Sequence, residues 1–320
     1  MPTQSVSQFA AQLQKRNGFL ILTHVRPDGD TVGCAAALCA ALRSIGKTAF
    51  LLENPELTDN TRPYSRPYAA PAEFVPETVV CVDIASLSLL PDNARPYAGR
   101  VDLAVDHHPS FEGFGEFYLV RPSAAACGEI LYDIIARLCP FTPEIALPLY
   151  VAVSTDTGCF QYSNTTPYTH RVAAALMATG IDYRSVNKIF FRTKSRRRLE
   201  LEADMLSHME FFDRERVVLL TVPISLMERV GATESDAEDL SALGGQIEGT
   251  DCAVTLRELQ KDVWKMSVRT GPRINATQAC MLLGGGGHAA AAGCTVECPL
   301  PEAKRRILDA IARVAPDFTA

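Results

Sequence analysis

The chain has 320 residues, 47% of them hydrophobic and 21% charged, which suits about two domains with real cores and excludes a disordered protein. With 31 Lys and Arg against 37 Asp and Glu, the formal net charge is −6; this argues against coating long duplex DNA through a broad basic face, but not against a local anion pocket or an acidic cluster around metal ions. No apolar run approaches the ~20 residues of a membrane span, and residues 1–18 form a polar amphipathic stretch without a signal-peptide core, so a soluble, cytoplasmic protein is expected.

In chain order, Phe19-Leu20-Ile21-Leu22 reads as a short strand, followed by the turn-rich Arg26-Pro27-Asp28-Gly29-Asp30. A helix is predicted from Thr31 to Ile45, closed by Gly46. A strand over Thr48–Leu52 follows. Five prolines between residues 54 and 77 mark an irregular connection. Thr78–Asp83 and Val101–Asp106 are two apolar strands, each ending in aspartate, and helices are predicted over Gly128–Leu138 and Pro143–Val153. Apolar strands alternating with helices indicate an α/β domain with a doubly wound, mostly parallel sheet covered on both faces.

Composition shifts near residue 190. Ser195-Arg196-Arg197-Arg198 opens a polar helix to about Phe212 and is read as a solvated helix start or linker. Strands at Arg216–Val222, Asp251–Arg257 and Val263–Arg269 follow, with helices around Ile224 and Asp236, the loop Gly284-Gly285-Gly286-Gly287-His288, a strand near Cys294 and a helix over Pro301–Val314. The expected division is a catalytic domain over 1–190, a linker helix over 191–213, and a smaller α/β substrate-binding domain over 214–320. The active site is expected in the cleft between the domains. Ten cysteines without a CxxC pair give neither a zinc-ribbon nor a thioredoxin-type pattern and read as reduced, packed thiols.

The chemistry-bearing residues fall where strands end. His24 closes the first strand, with Asp28 and Asp30 in the loop after it; Asp83 and Asp106-His107-His108 close the next two, and Asp156-Thr157-Gly158 follows an apolar run. The carboxyl ends of an open parallel sheet line one crevice. Taken singly, a strand-end aspartate caps the next helix; taken together, clustered carboxylates cannot all stay ionised without cations. A mixed Asp/His set suits manganese, magnesium, cobalt or zinc, and paired ions stabilise both the attacking and leaving oxygens of a phosphoryl displacement. His170 and His208 lack such company and are read as structural. The four glycines let a backbone approach a phosphate closely, and the small Ala289–Ala292 run after them reads as a tightly packed helix.

The motifs His24-Val25-Arg26-Pro27-Asp28-Gly29-Asp30, Asp83, Asp106-His107-His108 and Asp156-Thr157-Gly158, with the Gly284–His288 tail, resemble the DHH phosphoesterase superfamily and its associated C-terminal domain, in its nanoRNase and pAp-phosphatase branch. The resemblance implies that His24 and Asp28 hold one divalent ion and Asp30, His107 and Asp156 another, with Asp83 bridging. Mn2+ is the expected ion, Mg2+ or Co2+ the alternatives. It implies that His108 faces the substrate phosphate, that Asp106 orients the histidines, and that Arg269, Gly285, Gly286, Gly287 and His288 grip the far end of the substrate. Cys34 and Cys127 stand where small hydroxyl or alanine residues are expected. The implied activity is hydrolysis of short oligoribonucleotides and dinucleotides to 5′-mononucleotides, and of pAp to AMP. The alternatives are a cyclic- or linear-dinucleotide phosphodiesterase and a nucleotide-binding regulator without turnover. A homodimer is one option for assembly.

Overall fold

The computed structural model describes residues 3–237, 240–315 and 317–318. The chain forms two compact units, one ending at Thr193 and the other beginning at Lys194. The first contains α1 (Val6–Lys15), β1 (Phe19–Leu22), α2 (Gly29–Ser44), β2 (Ala49–Leu51), α3 (Arg62–Ser65), β3 (Thr78–Val82), β4 (Leu103–Asp106), β5 (Phe117–Val120), α4 (Cys127–Ile135), α5 (Pro143–Asp156), α6 (Pro167–Met177) and α7 (Tyr183–Phe191). Its five strands are all parallel, in the order β2-β1-β3-β4-β5.

Buried on both sides, β1, β3 and β4 have no polar face, and alternate residues feed two cores. Phe19, Ile21, Val80, Val82, Leu103 and Val105 meet α1, α2, α4 and α5. Leu20, Leu22, Val79, Cys81 and Ala104 meet a second cluster built from proline-rich connections and short 3₁₀ turns. The strand at Phe117–Val120 is not among the expected elements. It is a half-buried edge strand lacking the fully apolar signature of its neighbours.

Helix α2 is almost wholly buried and packs directly on α5. At Gly33 a Cβ would lie 2.3 Å from the Pro148 carbonyl and 2.8 Å from the Ala152 nitrogen, so only glycine permits this approach. The contact brings the start of α2, with Asp28 and Asp30, beside the end of α5, with Asp156. Asp156 is the last residue of that helix, so its motif stands at a helix C-terminus rather than behind a strand.

The second unit contains α8 (Arg196–Ser207), β6 (Glu210–Phe212), β7 (Val217–Val222), α9 (Ile224–Val230), β8 (Cys252–Gln260), β9 (Val263–Thr270), α10 (Ala276–Met281), β10 (Gly286–His288), β11 (Ala291–Glu297) and α11 (Leu300–Val314). Its mixed sheet runs β10-β11-β9-β8-β7-β6, with β7 and β8 parallel and the other pairs antiparallel. Helices α10 and α11 cover one face. Leu201 and Met205 of α8 pack with Leu220, Val222 and Leu226 on the other. The expected glycine loop and following helix are instead a hairpin: β10 pairs with β11, and Ala289 and Ala290 make the turn. Among the described residues, no helix is long and apolar enough to cross a membrane.

Gly33→Ala should therefore force α2 away from α5 and cost about 1–3 kcal/mol. Urea unfolding of the variant checks this; unchanged stability would mean that the two helices can separate freely.

Candidate metal centre

The strand order reverses its progression between β1 and β3, the switch point at which open α/β sheets form a ligand crevice at their carboxyl ends. His24 and Asp28 follow β1, and Asp83 follows β3. Asp83 has a left-handed backbone (φ 58°) and is 3% exposed. Such a backbone is costly for a residue with a Cβ, and strain of this kind clusters at functional sites. Its nitrogen donates to the Val105 carbonyl at 2.8 Å, tying it to β4.

Asp28 caps α2, its Oδ1 accepting from the Asp30 and Thr31 nitrogens at 3.0 and 3.1 Å. Thr31 donates through Oγ1 to the Val82 carbonyl at 3.0 Å and pins that helix start to β3. Asp30 is buried. Its Oδ2 accepts from the Cys127 nitrogen at 2.7 Å and its Oδ1 from the Gly128 nitrogen at 3.0 Å, both in the first turn of α4. The open N–H groups of a helix start suit a carboxylate.

The imidazoles are set by backbone carbonyls. His24 Nδ1 lies 2.7 Å from the Val25 oxygen and His107 Nδ1 lies 3.2 Å from the Ala124 oxygen. A carbonyl only accepts, so both Nδ1 atoms carry hydrogen and the neutral rings keep a lone pair on Nε2. His24 Nε2 faces Asp28 Oδ1 at 3.7 Å and Asp83 Oδ2 at 3.8 Å. His107 Nε2 faces Asp83 Oδ1 at 3.6 Å, Asp156 Oδ2 at 3.7 Å and Asp30 Oδ2 at 3.9 Å. The ligand-type atoms converge as His24/Asp28/Asp83 and Asp30/His107/Asp156, and Asp83 and His107 also meet His108.

His108 is arranged differently. Its Nδ1 is 2.7 Å from Asp106 Oδ1, which also accepts from the His107 nitrogen at 2.7 Å. Asp106 is fully buried. At 37% exposure the His108 side chain is the most open of the three imidazoles, against 16% for His24 and 14% for His107.

Burial, then the charges of Asp156 and Asp28, push Asp30 well above the usual carboxylate range. Burial, then Asp30 and Asp28, do the same to Asp83. Asp156 is raised to about 6, by burial partly offset by His107. At His24, burial works against the proton, but the hydrogen bond and charge of Asp28 outweigh it and raise the pKa. The donor set fits divalent cations. Asp83 Oδ1 is buried without a hydrogen-bond donor; the Nε2 lone pair of His107 lies 3.6 Å away, and the His108 Nδ1–H at 3.7 Å is committed to Asp106.

Sequence reading missed Glu129. Buried in α4, it accepts from Thr169 Oγ1 at 2.5 Å and from the Ala125 nitrogen at 3.1 Å, bracing the segment whose Ala124 carbonyl holds His107. Acidic residues this deeply buried are rare without partners, but a lone Glu in a helical pattern carries no such signal. His170 sits exposed beside Phe160, and His208 bonds to the Asp204 carbonyl at 2.9 Å; neither is a member of these groups.

In the second unit, β-sheet register puts His288, Ala291 and Arg269 in one row across β10, β11 and β9. Residues directly opposite share a face, so the small Ala291 leaves space between the imidazole and the guanidinium. Gly285 and Gly287 are needed for packing: a Cβ at Gly285 would lie 2.2 Å from the Gly293 oxygen, and one at Gly287 2.6 Å from the Ala291 oxygen. Gly286 borders open space.

Residues 18–181 match the model of the DHH family, N-terminal domain. The chain belongs to the DHH family. This DHH-family chain is 35% identical to the bifunctional oligoribonuclease and PAP phosphatase NrnA of Thermus thermophilus, over 91% of its own length and 88% of the relative's. It is 24% identical to the protein of that name from Bacillus subtilis, over 85% and 87%. An exopolyphosphatase-related protein from Bacteroides fragilis shares its fold, with a TM-score of 0.88 and 22% identity, over 97% of this chain and 96% of that one.

The electrostatics set a pH dependence for the metal-free protein. Asp30, Asp83, Asp156 and His24 all hold protons more tightly folded than unfolded, so the stability they contribute is lost as pH rises, from about 4 upward for the carboxyls and from about 6.5 upward for His24. Divalent cations favour the ionised carboxylates. The rise in melting temperature caused by Mn2+ should therefore be larger at about pH 7.5 than at about pH 5. An equal or smaller rise at the higher pH would contradict this electrostatic account.

Proposed function

We propose that the chain is a metal-dependent phosphoesterase that hydrolyses short oligoribonucleotides and dinucleotides to 5′-mononucleotides and converts pAp to AMP. The carrying observation is the buried, donor-free Asp83 Oδ1, with the Nε2 of His107 facing it and that of His24 facing the other oxygen of the same carboxylate. Kinship with relatives named for oligoribonuclease and PAP phosphatase activity supports the substrate class.

In this reading His24 and Asp28 would hold one cation and Asp30, His107 and Asp156 a second, with Asp83 available to both. Bound there, Mn2+, or Mg2+ or Co2+ in its place, supplies charge neutralisation for a phosphate and lowers the pKa of a water. The remaining work falls to side chains. Asp106 fixes the His108 ring through Nδ1, so that Nε2 is free to carry a proton to the leaving oxygen of the scissile phosphate. The same ring in its cationic form stabilises charge developing on that phosphate. We assign catalysis to the unit ending at Thr193 and substrate holding to the strands beyond residue 214. There Arg269 and His288 would take the substrate end, and Gly286 and its neighbours would offer backbone N–H groups. The partners are short single-stranded RNA, dinucleotides and pAp, not long duplexes.

A product assay with Mn2+ should show turnover of pAp and two- to five-nucleotide RNAs, little of a long RNA or a cyclic dinucleotide, and none with excess chelator. Cyclic-dinucleotide turnover without RNA turnover would replace the substrate assignment. Asp83→Ala should lose bound manganese, whereas His108→Ala should keep it and lose roughly 10²-fold in kcat; the reverse pattern would exchange the two roles. His288→Ala should raise KM for dinucleotides and pAp far more than for a chromogenic phosphodiester, with metal content unchanged. Equal losses on both would remove the substrate-end role.

A further inference from the structure

Asp30 draws on a third donor besides the two α4 nitrogens. Cys34, one turn further along α2 and fully buried, places Sγ 3.1 Å from Asp30 Oδ1. Cys127, also fully buried, lies beside it, but its thiol donates to the Val105 carbonyl at 3.5 Å. A carbonyl only accepts, so this contact uses the Cys127 hydrogen and leaves the Cys34 hydrogen for the carboxylate. Asp30 is therefore bounded by Gly128 N–H and Cys34 S–H on Oδ1 and by Cys127 N–H on Oδ2.

We propose that Cys34 is a positioning residue for Asp30: its thiol holds the carboxylate plane so that Oδ2, the oxygen 3.9 Å from His107 Nε2, presents its remaining lone pair to the cation shared with His107 and Asp156. This rests on the metal reading above. Two backbone donors in one helix turn grip the carboxylate from a single side. The thiol comes from α2 itself and opposes rotation of the group about its Cβ–Cγ bond. Partners that orient a ligand typically change metal affinity by about 10–100-fold when removed. Burial alone does not give the thiol this role, because a packed cysteine replaced by alanine loses core contacts without changing how a neighbouring carboxylate meets a cation.

The test compares Cys34→Ala with Cys34→Ser in the full-length protein. Calorimetric titration with Mn2+ should show about tenfold weaker binding at one site in the alanine variant, and binding within about threefold of the unsubstituted protein in serine, whose hydroxyl restores a donor. Both variants lose core packing, so a merely structural cysteine would lower the metal-free melting temperature and leave Mn2+ affinity alone. That result overturns the proposal, as does equal weakening in both variants. A metal-free double-mutant cycle of Cys34→Ala with Asp30→Asn supplies an independent readout: coupled effects on melting temperature support the contact, and additive effects overturn it. If the unsubstituted protein binds no Mn2+, the metal reading fails, and the cycle still decides whether Cys34 holds Asp30.

Discussion

Negative charge concentrated at the β1/β3 switch point is the constraint around which the first unit is arranged. Asp28, Asp30, Asp83 and Asp156 come from three different elements and their flanks, and two of them are nearly inaccessible to water. In the metal-free protein the conflict is relieved by protons, which is why burial and mutual repulsion raise Asp30, Asp83 and Asp156 together. The fold does not avoid this cost. It enforces it through the Gly33 approach of α2 to α5, the left-handed turn at Asp83 and the α4 helix start that grips Asp30.

Directionality then comes from the backbone. Two histidines spend Nδ1–H on main-chain carbonyls, one spends it on a carboxylate, and that difference separates candidate ligands from a candidate acid. A ring whose Nδ1–H is committed to a neutral carbonyl keeps its Nε2 lone pair for a cation. A ring whose Nδ1–H meets the buried Asp106 has its tautomer and orientation fixed by that carboxylate, with Nε2 left facing outward for a substrate. The same side chain thus serves different purposes within one short motif.

Much of this was legible in the sequence. Continuous apolar runs ending in Asp83 and Asp106 give strands buried on both faces, and parallel topology alone brings their ends together. The order β2-β1-β3-β4-β5 and the half-buried β5 depend on pairing choices that no local pattern records. Asp156 illustrates a related limit: the helix before it is legible in the sequence, but its place in the cluster follows from the close packing of α2 and α5. The glycine tail reads in sequence as a loop leading into a helix, because alanines carry strong helix propensity. In the structure, antiparallel pairing to β9 and β10 draws Ala291 and Ala292 into β11, and Gly285 and Gly287 allow the strands to approach. Glu129 was invisible because nothing local distinguishes a buried helical carboxylate from a solvated one.

The most direct measurement is anomalous diffraction from crystals of the protein grown with Mn2+, recorded at the manganese edge. The account predicts two adjacent peaks at this crevice, one among His24, Asp28 and Asp83 and the other among Asp30, His107 and Asp156, separated by roughly 3.5–4 Å. Manganese bound only elsewhere, or a crevice without an anomalous peak in crystals that retain their carboxylates in place, would contradict it.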